Sequence, residues 1–223
     1  MKKYKLGFIG SGKMATAIAA GVVNNNIYSA DEIIASDISE DSLKEFSDKC
    51  GAITSTDNNL VTEQSETVIL AVKPQVAQAV CKDLNLDDTT HIISIAAGLK
   101  VSTLQEWLKT EKVTRVMPNT PLMVGLGASA YCSSDSVTDS EKQEVENIFG
   151  SAGIIYKVEE ADIDTVTGVS GSGPAYVFEF IQSLTEAGIE NGLSEEASLE
   201  LAVQTVAGAA EMVKHKMLSL IHI

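Results

Sequence analysis

Glycines near the N-terminus have the spacing of a turn that binds phosphate groups. Gly10, Gly12 and Ala15 form a Gly-x-Gly-x-x-Ala pattern. The pattern lies between an apolar run, Tyr4–Ile9, and a segment with helical periodicity, Lys13–Asn25. In such a pattern the first glycine allows a tight turn, the second lets a pyrophosphate approach, and the small third residue permits close helix–strand packing. The pattern predicts dinucleotide binding at the helix N-terminus, with a plain structural turn as the alternative.

An acidic residue at the end of the second predicted strand bears on which dinucleotide binds. Asp37 follows the run Glu32–Ser36 and lies 25 residues after Gly12, near the usual spacing of about 20. A carboxylate there can accept a hydrogen bond from the ribose 2′-hydroxyl of NAD and would repel the 2′-phosphate of NADP. The sequence therefore favours use of NADH without excluding NADPH. Alternatively, Asp37 caps the helix predicted at Ser39–Lys49.

The overall composition is that of a globular chain and excludes several classes of partner. The chain has 223 residues, of which 44% are hydrophobic and 21% charged. A net charge of −15 argues against nucleic-acid binding, which requires a positive surface. The sequence contains no run of about 18 apolar residues, the length that would cross a membrane. Three widely spaced cysteines indicate reduced thiols rather than disulfides or a zinc site, so we expect a cytoplasmic protein without a metal.

Short apolar runs alternate with amphipathic segments as far as about residue 157, which predicts βαβ units and a mostly parallel sheet. The predicted strands are Tyr4–Ile9, Glu32–Ser36, Thr67–Val72, His91–Ile95 and Val113–Met117, with Ala128–Cys132 and Ile154–Val158 as edge strands. The predicted helices of this part are Lys13–Asn25, Ser39–Lys49 and Ser140–Phe149. We therefore expect an α/β fold, with a Rossmann domain over residues 1–159.

Two long helical patterns, Pro174–Asn191 and Ser194–Lys214, follow in a segment that is expected to form an all-α domain over residues 160–223. The first pattern carries an apolar stripe that includes Tyr176 and Phe180, and the second is apolar on most sides. A helix of this kind has to be buried, and about 60 residues cannot bury two of them alone. We expect this segment to form a homodimer or a larger homo-oligomer.

Three distinctive segments end predicted strands: Ala71–Pro74, Ser94–Gly98 and Met117–Pro121. Ligands of an open parallel sheet lie beyond the carboxyl ends of its strands, and the small or rigid residues here leave room for a flat ring. Lys73 could attract a carboxylate substrate or could be a solvated lysine before a proline that starts a helix. Arg115 lies inside a strand pattern, which favours a structural ion pair over catalysis. No His–Asp or Ser–Lys pair suggests a general acid, which suits reduction of a protonated C=N bond.

Five ordered motifs resemble those of pyrroline-5-carboxylate reductases. They are GFIGSGKMATAI near the start, Ala71–Pro74, Ser94–Gly98, Met117–Pro121 and Gly168–Tyr176. The resemblance runs from about Leu6 to Met212. It implies a Rossmann domain followed by helices that intertwine in a dimer. It also implies hydride transfer from NADPH or NADH to the imine carbon of 1-pyrroline-5-carboxylate, which gives L-proline.

The resemblance also implies site residues in this chain. Together with Asp37, the expected cofactor-binding residues are Gly10, Ser11, Gly12, Lys13, Met14, Asn58, Ala71, Val72, Lys73, Pro74, Ile95, Ala96 and Ala97. Asn58, in the polar loop before the run Thr67–Val72, matches a position near the adenosine. Glu160, just before the helical domain, is expected to lie near the substrate.

The chain departs from the family pattern in two places. Many members have a small hydroxyl residue in place of Asp37, which argues against a strong NADP preference. The family also has a later segment with a Ser-Pro-Gly-Gly-Thr-like loop that holds the substrate, whereas Val213–Ile223 resembles no part of it. We expect a truncated helical domain with a non-native tail from about residue 214, and we assign no catalytic residue.

Two alternatives to the reductase stay open. One is a cofactor-binding Rossmann module without turnover, which the absence of the family's substrate loop would permit. The other is a reductase of the β-hydroxyacid dehydrogenase type. Those enzymes depend on a lysine in the helical segment, and Pro174–Asn191 contains none.

Overall fold

A computed structural model describes residues 2–215, and the chain divides into two compact units. The first unit ends at Gly171 and the second begins at Ser172. The domain boundary expected after residue 159 stays a prediction about the functional domains. The tail expected to be non-native lies almost entirely outside the described residues, which end at His215.

The first unit contains an eight-stranded sheet with helices between the strands. The strands are β1 (Tyr4–Ile9), β2 (Ile33–Ser36), β3 (Ile53–Ser55), β4 (Ser65–Leu70), β5 (His91–Ser94), β6 (Val113–Met117), β7 (Gly127–Ser133) and β8 (Gly153–Lys157). The helices are α1 (Lys13–Asn24), α2 (Glu40–Cys50), α3 (Asn58–Gln64), α4 (Pro74–Asp83), α5 (Val101–Leu108), α6 (Asp139–Gly150) and α7 (Ile163–Val166). Short 3-10 turns occupy Ala30–Glu32, Thr120–Val124 and Glu160–Asp162, and a π-helical turn occupies Thr167–Gly171.

The strand order is β3-β2-β1-β4-β5-β6-β7-β8. Every neighbouring pair is parallel except β6 and β7. The strand order reverses between β1 and β4, which is the arrangement of the doubly wound Rossmann fold and the usual place for a ligand. The predicted fold class is therefore confirmed.

The central strands are buried along most of their length, as expected where helices cover both faces of the sheet. One apolar core contains Phe8, Ile18 and Phe46, and the other contains Leu70, Ile92 and Leu104; all six side chains are buried. The prediction that Ala128–Cys132 forms an edge strand is wrong, because β7 lies between β6 and β8. After the turn Thr120–Val124 the chain runs antiparallel to β6 as β7. The edge strand on this side of the sheet is therefore β8.

The second unit consists of α8 (Gly173–Glu190) and α9 (Glu195–Lys214). No residue of α8 is buried, and α9 buries only Ser198 and Ala202. Large apolar side chains remain exposed on both helices, among them Tyr176, Phe178, Phe180, Leu199 and Leu201. So much exposed apolar surface is typical of helices that pack against a partner chain. None of the helices in residues 2–215 is long and apolar enough to cross a membrane.

A buried histidine at the start of β5 links three strands. His91 is 1% exposed, and its Nε2 lies 2.8 Å from Thr114 Oγ1, which lies 2.7 Å from Ser133 Oγ. Its Nδ1 has no hydrogen-bond partner within the described chain. Burial lowers the pKa of His91 to about 4, although the charge of Glu141 acts in the opposite direction.

We predict that the protonation of His91 destabilises the fold in mild acid. The unfolded chain binds this proton below about pH 6.5 and the folded chain only near pH 4, so stability falls as the pH drops through this window. Between pH 7 and pH 5, the wild type should lose about 2 kcal/mol more unfolding free energy than His91→Gln, measured by urea denaturation. Equal losses in the two proteins would contradict the prediction.

Candidate functional site

The carboxyl ends of β2, β1, β4 and β5 lie side by side, and hydrogen bonds join the residues that follow them. In each case an N–H just beyond one strand donates to a carbonyl oxygen at the end of its neighbour. The bonds are Gly10 N to Ser36 O at 2.7 Å, Ala71 N to Ile9 O at 2.8 Å and Ile95 N to Leu70 O at 3.2 Å. The glycine-rich turn and the segments Ala71–Pro74 and Ile95–Ala97 are therefore fixed along one edge of the sheet.

The glycine-rich turn is built as its sequence predicts. Gly10 has a φ of +96°, and a Cβ on it would lie 2.8 Å from the Ala71 carbonyl oxygen, so only glycine fits. Gly12 is the N-cap of α1, and a Cβ on it would meet no atom within 4 Å. Ala15 is buried at 1% exposure, which allows α1 to pack closely. Because no side chain of the described chain caps α1, its first N–H groups are available to an anion.

Asp37 directly contacts the glycine-rich turn. Its Oδ2 accepts a hydrogen bond from Ser11 N at 2.8 Å, and its Oδ1 accepts one from Ser39 N at 3.0 Å. The cap of α2 is Ser39, whose Oγ accepts from Ser42 N at 3.2 Å, so the alternative in which Asp37 caps that helix is wrong. The carboxylate of Asp37 is thus held at the end of β2, beside the backbone of the turn.

Asn58 begins α3, so its predicted position in a loop is wrong. The helix forms because Asp57 caps it: its Oδ1 accepts from Asn59 N at 2.9 Å. The Oδ1 of Asn58 accepts a hydrogen bond from Ser36 Oγ at 2.7 Å, and Ser36 immediately precedes Asp37. Asn58 and Asp37 therefore lie at the same end of the site. The preference of aspartate for helix N-caps was the signal that could have revealed this helix.

The segments after β4 and β5 present small side chains at the strand ends. Lys73 is the N-cap of α4, which begins with Pro74. The side chain of Lys73 is exposed and forms no ion pair within residues 2–215. Ala96 N donates to Ser94 Oγ at 3.3 Å, which holds the start of the next segment. This arrangement places the exposed cation of Lys73 beside a surface of small residues.

The strand end Met117–Pro121 contacts the turn Thr167–Gly171. Asn119 is 7% exposed; its Nδ2 donates to Ser170 O at 3.1 Å, and its Oδ1 accepts from Ala128 N at 2.9 Å. One amide side chain thus joins two of the motifs recognised in the sequence. No local pattern predicts this contact, because the partners are 51 residues apart.

The side chain of Glu160, in the turn Glu160–Asp162, contacts the N-terminus of α5. Its Oε1 accepts a hydrogen bond from Val101 N at 2.7 Å and lies 3.7 Å from Arg115 Nη1. Arg115 Nη2 also lies 3.5 Å from Asp164 Oδ1, so the structural ion pair expected for Arg115 is confirmed. Sequence reasoning did not identify Val101 as a partner of Glu160.

A separate cavity of about 710 Å³ borders α5 and Glu160 but not the glycine-rich turn. Several of its polar groups bond one another: Ser134 Oγ, Ser136 Oγ and Gln105 Nε2 all donate to the Glu111 carbonyl oxygen. Groups that already satisfy each other offer little to a ligand. We therefore place the candidate site along the strand ends.

The reversal of strand order beside an uncapped helix N-terminus defines the class of this protein as a dinucleotide-binding protein with a Rossmann fold. Curated pyrroline-5-carboxylate reductases from Glycine max and Methanosarcina acetivorans are 41% and 39% identical to it over 95% of this chain, and the match covers 78% and 80% of their lengths. The chain belongs to the pyrroline-5-carboxylate reductase family.

Family models and solved structures agree with this membership. The model "Pyrroline-5-carboxylate reductase dimerisation" matches residues 160–222, and "NADP oxidoreductase coenzyme F420-dependent" matches residues 5–98. The Plasmodium falciparum pyrroline carboxylate reductase with NADP bound has a TM-score of 0.85 at 37% identity, covering 96% of this chain and 80% of that one. The Coxiella burnetii pyrroline-5-carboxylate reductase has a TM-score of 0.89 at 33% identity, covering 99% and 83%. The two alternative functions are therefore disfavoured.

Two glycine substitutions should separate folding from ligand binding. A Cβ added by Gly12→Val meets no atom within 4 Å and the backbone is permitted, so the variant should lose no more than about 1 kcal/mol of stability, the usual cost of a poorer N-cap residue, while NADH binding is lost. Gly10→Ala meets a backbone oxygen at positive φ and should cost at least about 2 kcal/mol of stability. Thermal denaturation and NADH fluorescence titration measure both effects. A Gly12→Val protein that binds NADH normally would rule out the turn as the phosphate site.

Proposed function

We propose that this chain reduces 1-pyrroline-5-carboxylate to L-proline, the last step of proline biosynthesis, with NADH or NADPH as the hydride donor. One observation carries the proposal: a hydrogen-bonded row of strand ends lies beside the uncapped N-terminus of α1. The strand ends support dinucleotide binding, and the names of the relatives support the substrate.

The proposed cofactor site extends along these strand ends. We place the pyrophosphate against the turn and the first residues of α1, the adenosine ribose at Asp37 and Asn58, and the nicotinamide at the two segments of small residues. The residues of the turn and α1 are Gly10, Ser11, Gly12, Lys13 and Met14. Those beside the nicotinamide are Ala71, Val72, Lys73, Pro74, Ile95, Ala96 and Ala97.

The chemistry asks little of the protein side chains. When bound, the reduced nicotinamide supplies a hydride that adds to the imine carbon of the substrate. The electron pair of the C=N bond moves to the ring nitrogen, which becomes a secondary amine. A protonated imine needs no general acid from the protein, which agrees with strand ends that offer alanines and no histidine. The task of Ala71, Ala96 and Ala97 is to leave room for two flat rings and to exclude water.

Two charged residues are candidates for contact with the substrate. Lys73 is an exposed cation beside the proposed nicotinamide position and could attract the substrate carboxylate. Glu160 stays a predicted substrate residue. Its Oε1 is already held by Val101 N, so a contact with the substrate would have to use Oε2.

We also propose that the chain acts in the cytoplasm as a homodimer or a larger homo-oligomer. The exposed apolar surface of α8, with Tyr176 and Phe178 more than 60% exposed, supports self-association, as does the match to a dimerisation model. Buried, unpaired cysteines at positions 50, 81 and 132 support a reducing compartment. A solution mass of 23.6 kDa, that of one chain, would contradict the oligomer.

The proposed reaction can be tested by the loss of nicotinamide absorbance with 1-pyrroline-5-carboxylate, using NADH and NADPH in parallel. We expect turnover that depends on the imine and yields proline, with Gly12→Val as a folded control that binds no cofactor. Binding of the dinucleotide without turnover would instead identify a cofactor-binding module. A folded protein that neither binds the dinucleotide nor turns over the imine would overturn the whole proposal.

Asp37 should determine the preference between the two cofactors. No lysine or arginine occurs at residues 36–43 or 53–60, whereas Asp37, Glu40, Asp41 and Asp57 are all acidic. A 2′-phosphate placed beside Asp37 would be repelled by these carboxylates. Asp37→Ser should therefore raise the ratio of kcat/KM for NADPH over NADH about tenfold or more.

The control for this prediction is Asp41→Ser. It removes a carboxylate from the same end of the site without breaking the hydrogen bond to Ser11. Its cofactor ratio should change by less than about twofold, because an exposed charge is screened by solvent. Equal shifts in both variants would mean that the general charge, rather than Asp37, sets the preference.

A further inference from the structure

One side chain joins the end of β6 to the start of β7. Asn119 lies two residues beyond β6 and is buried. The antiparallel register pairs Met117 with Ala130, and two positions further along it Asn119 stands opposite Ala128. The backbone pairing has ended there, but Asn119 Oδ1 accepts a hydrogen bond from Ala128 N at 2.9 Å. The amide side chain therefore takes the place of a strand carbonyl group and continues the pairing of the two strands.

The other end of the same amide satisfies a carbonyl group in the π-helical turn Thr167–Gly171. In an α-helix the carbonyl oxygen of Ser170 would accept from the N–H four residues further on, but that residue is Pro174, which has no N–H. The following N–H, that of Ala175, donates to the N-cap residue of α8 instead. Asn119 Nδ2 donates to Ser170 O at 3.1 Å and so supplies the bond that the proline removes.

This bridge lies at the strand end next to the proposed nicotinamide position. The parallel register of β5 and β6 ends at the pair Ser94 and Arg115. Ala96 and Met117 each lie two residues beyond this pair, at neighbouring strand ends. The π-helical turn packs on Met117: a Cβ on Gly171 would lie 2.7 Å from Met117 Cε, so a glycine allows this close approach. The turn and Met117 therefore form a surface beside the segment where the nicotinamide is proposed.

We infer that Asn119 is a positioning residue for the imine substrate, because it holds the π-helical turn against the end of β6 beside the nicotinamide. This inference rests on the proposed function, which puts the nicotinamide at Ala96. A hydride acceptor has to lie about 3–3.5 Å from the donor carbon, so a turn that borders this place restricts where the imine can lie. Asn119 is 7% exposed and both ends of its amide are bonded, so it acts through the turn rather than by contact with the substrate.

The test compares Asn119→Ala with the matched control Thr114→Ala. Thr114 is also buried and also bonds on two sides, to His91 Nε2 and Ser133 Oγ, but it lies near the amino end of β6, away from the site. Both variants should lower the melting temperature by about 3–8 °C, because each leaves buried polar groups without a partner. Only Asn119→Ala should lower kcat/KM for the imine, about tenfold at saturating NADH. The dissociation constant of NADH should stay within about twofold of the wild-type value in both.

A second variant keeps the test decisive if Asn119→Ala does not fold. Gly171→Ala leaves both bonds of Asn119 in place, and its methyl group meets only the mobile end of Met117 and the side chain of Thr167. It should fold, bind NADH normally and lower kcat/KM for the imine several-fold, because it moves the turn away from β6. A kcat/KM equal to that of the wild type would overturn the inference.

Hydrogen exchange separates the inference from the proposed function. In Asn119→Ala, the amides of residues 167–173 should exchange faster, and those of β1 and α1 should not change. An equal kcat/KM in Asn119→Ala and Thr114→Ala would show a structural role only and overturn the inference. Loss of NADH affinity in Asn119→Ala would do the same, because it would place the effect at the cofactor. A wild type that binds NADH but does not reduce the imine would refute the proposed function and the inference with it, and the exchange data would then report on the bridge alone.

Discussion

The site depends on the close approach of three strand ends at Gly10. At this residue the chain leaves β1, and the N–H of Gly10 donates to the carbonyl oxygen of Ser36 in β2. A Cβ on Gly10 would lie 2.8 Å from the carbonyl oxygen of Ala71. Only a residue without a side chain can satisfy both neighbours at a φ of +96°. The position of α1, the free N–H groups at its start and the contact of Ser11 with Asp37 all follow from this turn.

Local patterns predicted most of the sheet because its strands are short apolar runs bounded by turns. The bounds of β1 and β6 agree with the prediction to the residue, and the other predicted elements differ by at most two residues at either end, whereas no bounds were predicted for β3, α3, α4, α5 and α7. The misses have physical causes. The stretch Ile53–Asn59 is polar and exposed, so β3 and the start of α3 lack the periodicity of buried elements. The place of β7 inside the sheet depends on pairing with β8, which no local pattern contains.

The residues of the site likewise divide into those that local patterns predict and those that they do not. The turn and Asp37 could be predicted because both belong to one βαβ unit with fixed spacing. The contacts of Asn119 and Glu160 could not, because each joins residues more than 50 positions apart. One signal was present: Arg115 is the sole arginine and lies in a buried strand, so it had to have a carboxylate partner. Composition could indicate that a partner exists but not which of 31 acidic residues it is.

A chain with a net charge of −15 is an unexpected host for an anionic cofactor, and the geometry of the turn resolves the conflict. Repulsion from distant carboxylates is screened within about 8 Å at physiological ionic strength. The N–H groups at the start of α1 act at contact distance, where screening by salt is ineffective. The acidic surface therefore slows the approach of the cofactor more than it weakens the bound state. At the proposed ribose position Asp37 is itself acidic, so there the negative charge acts at short range and bears on specificity.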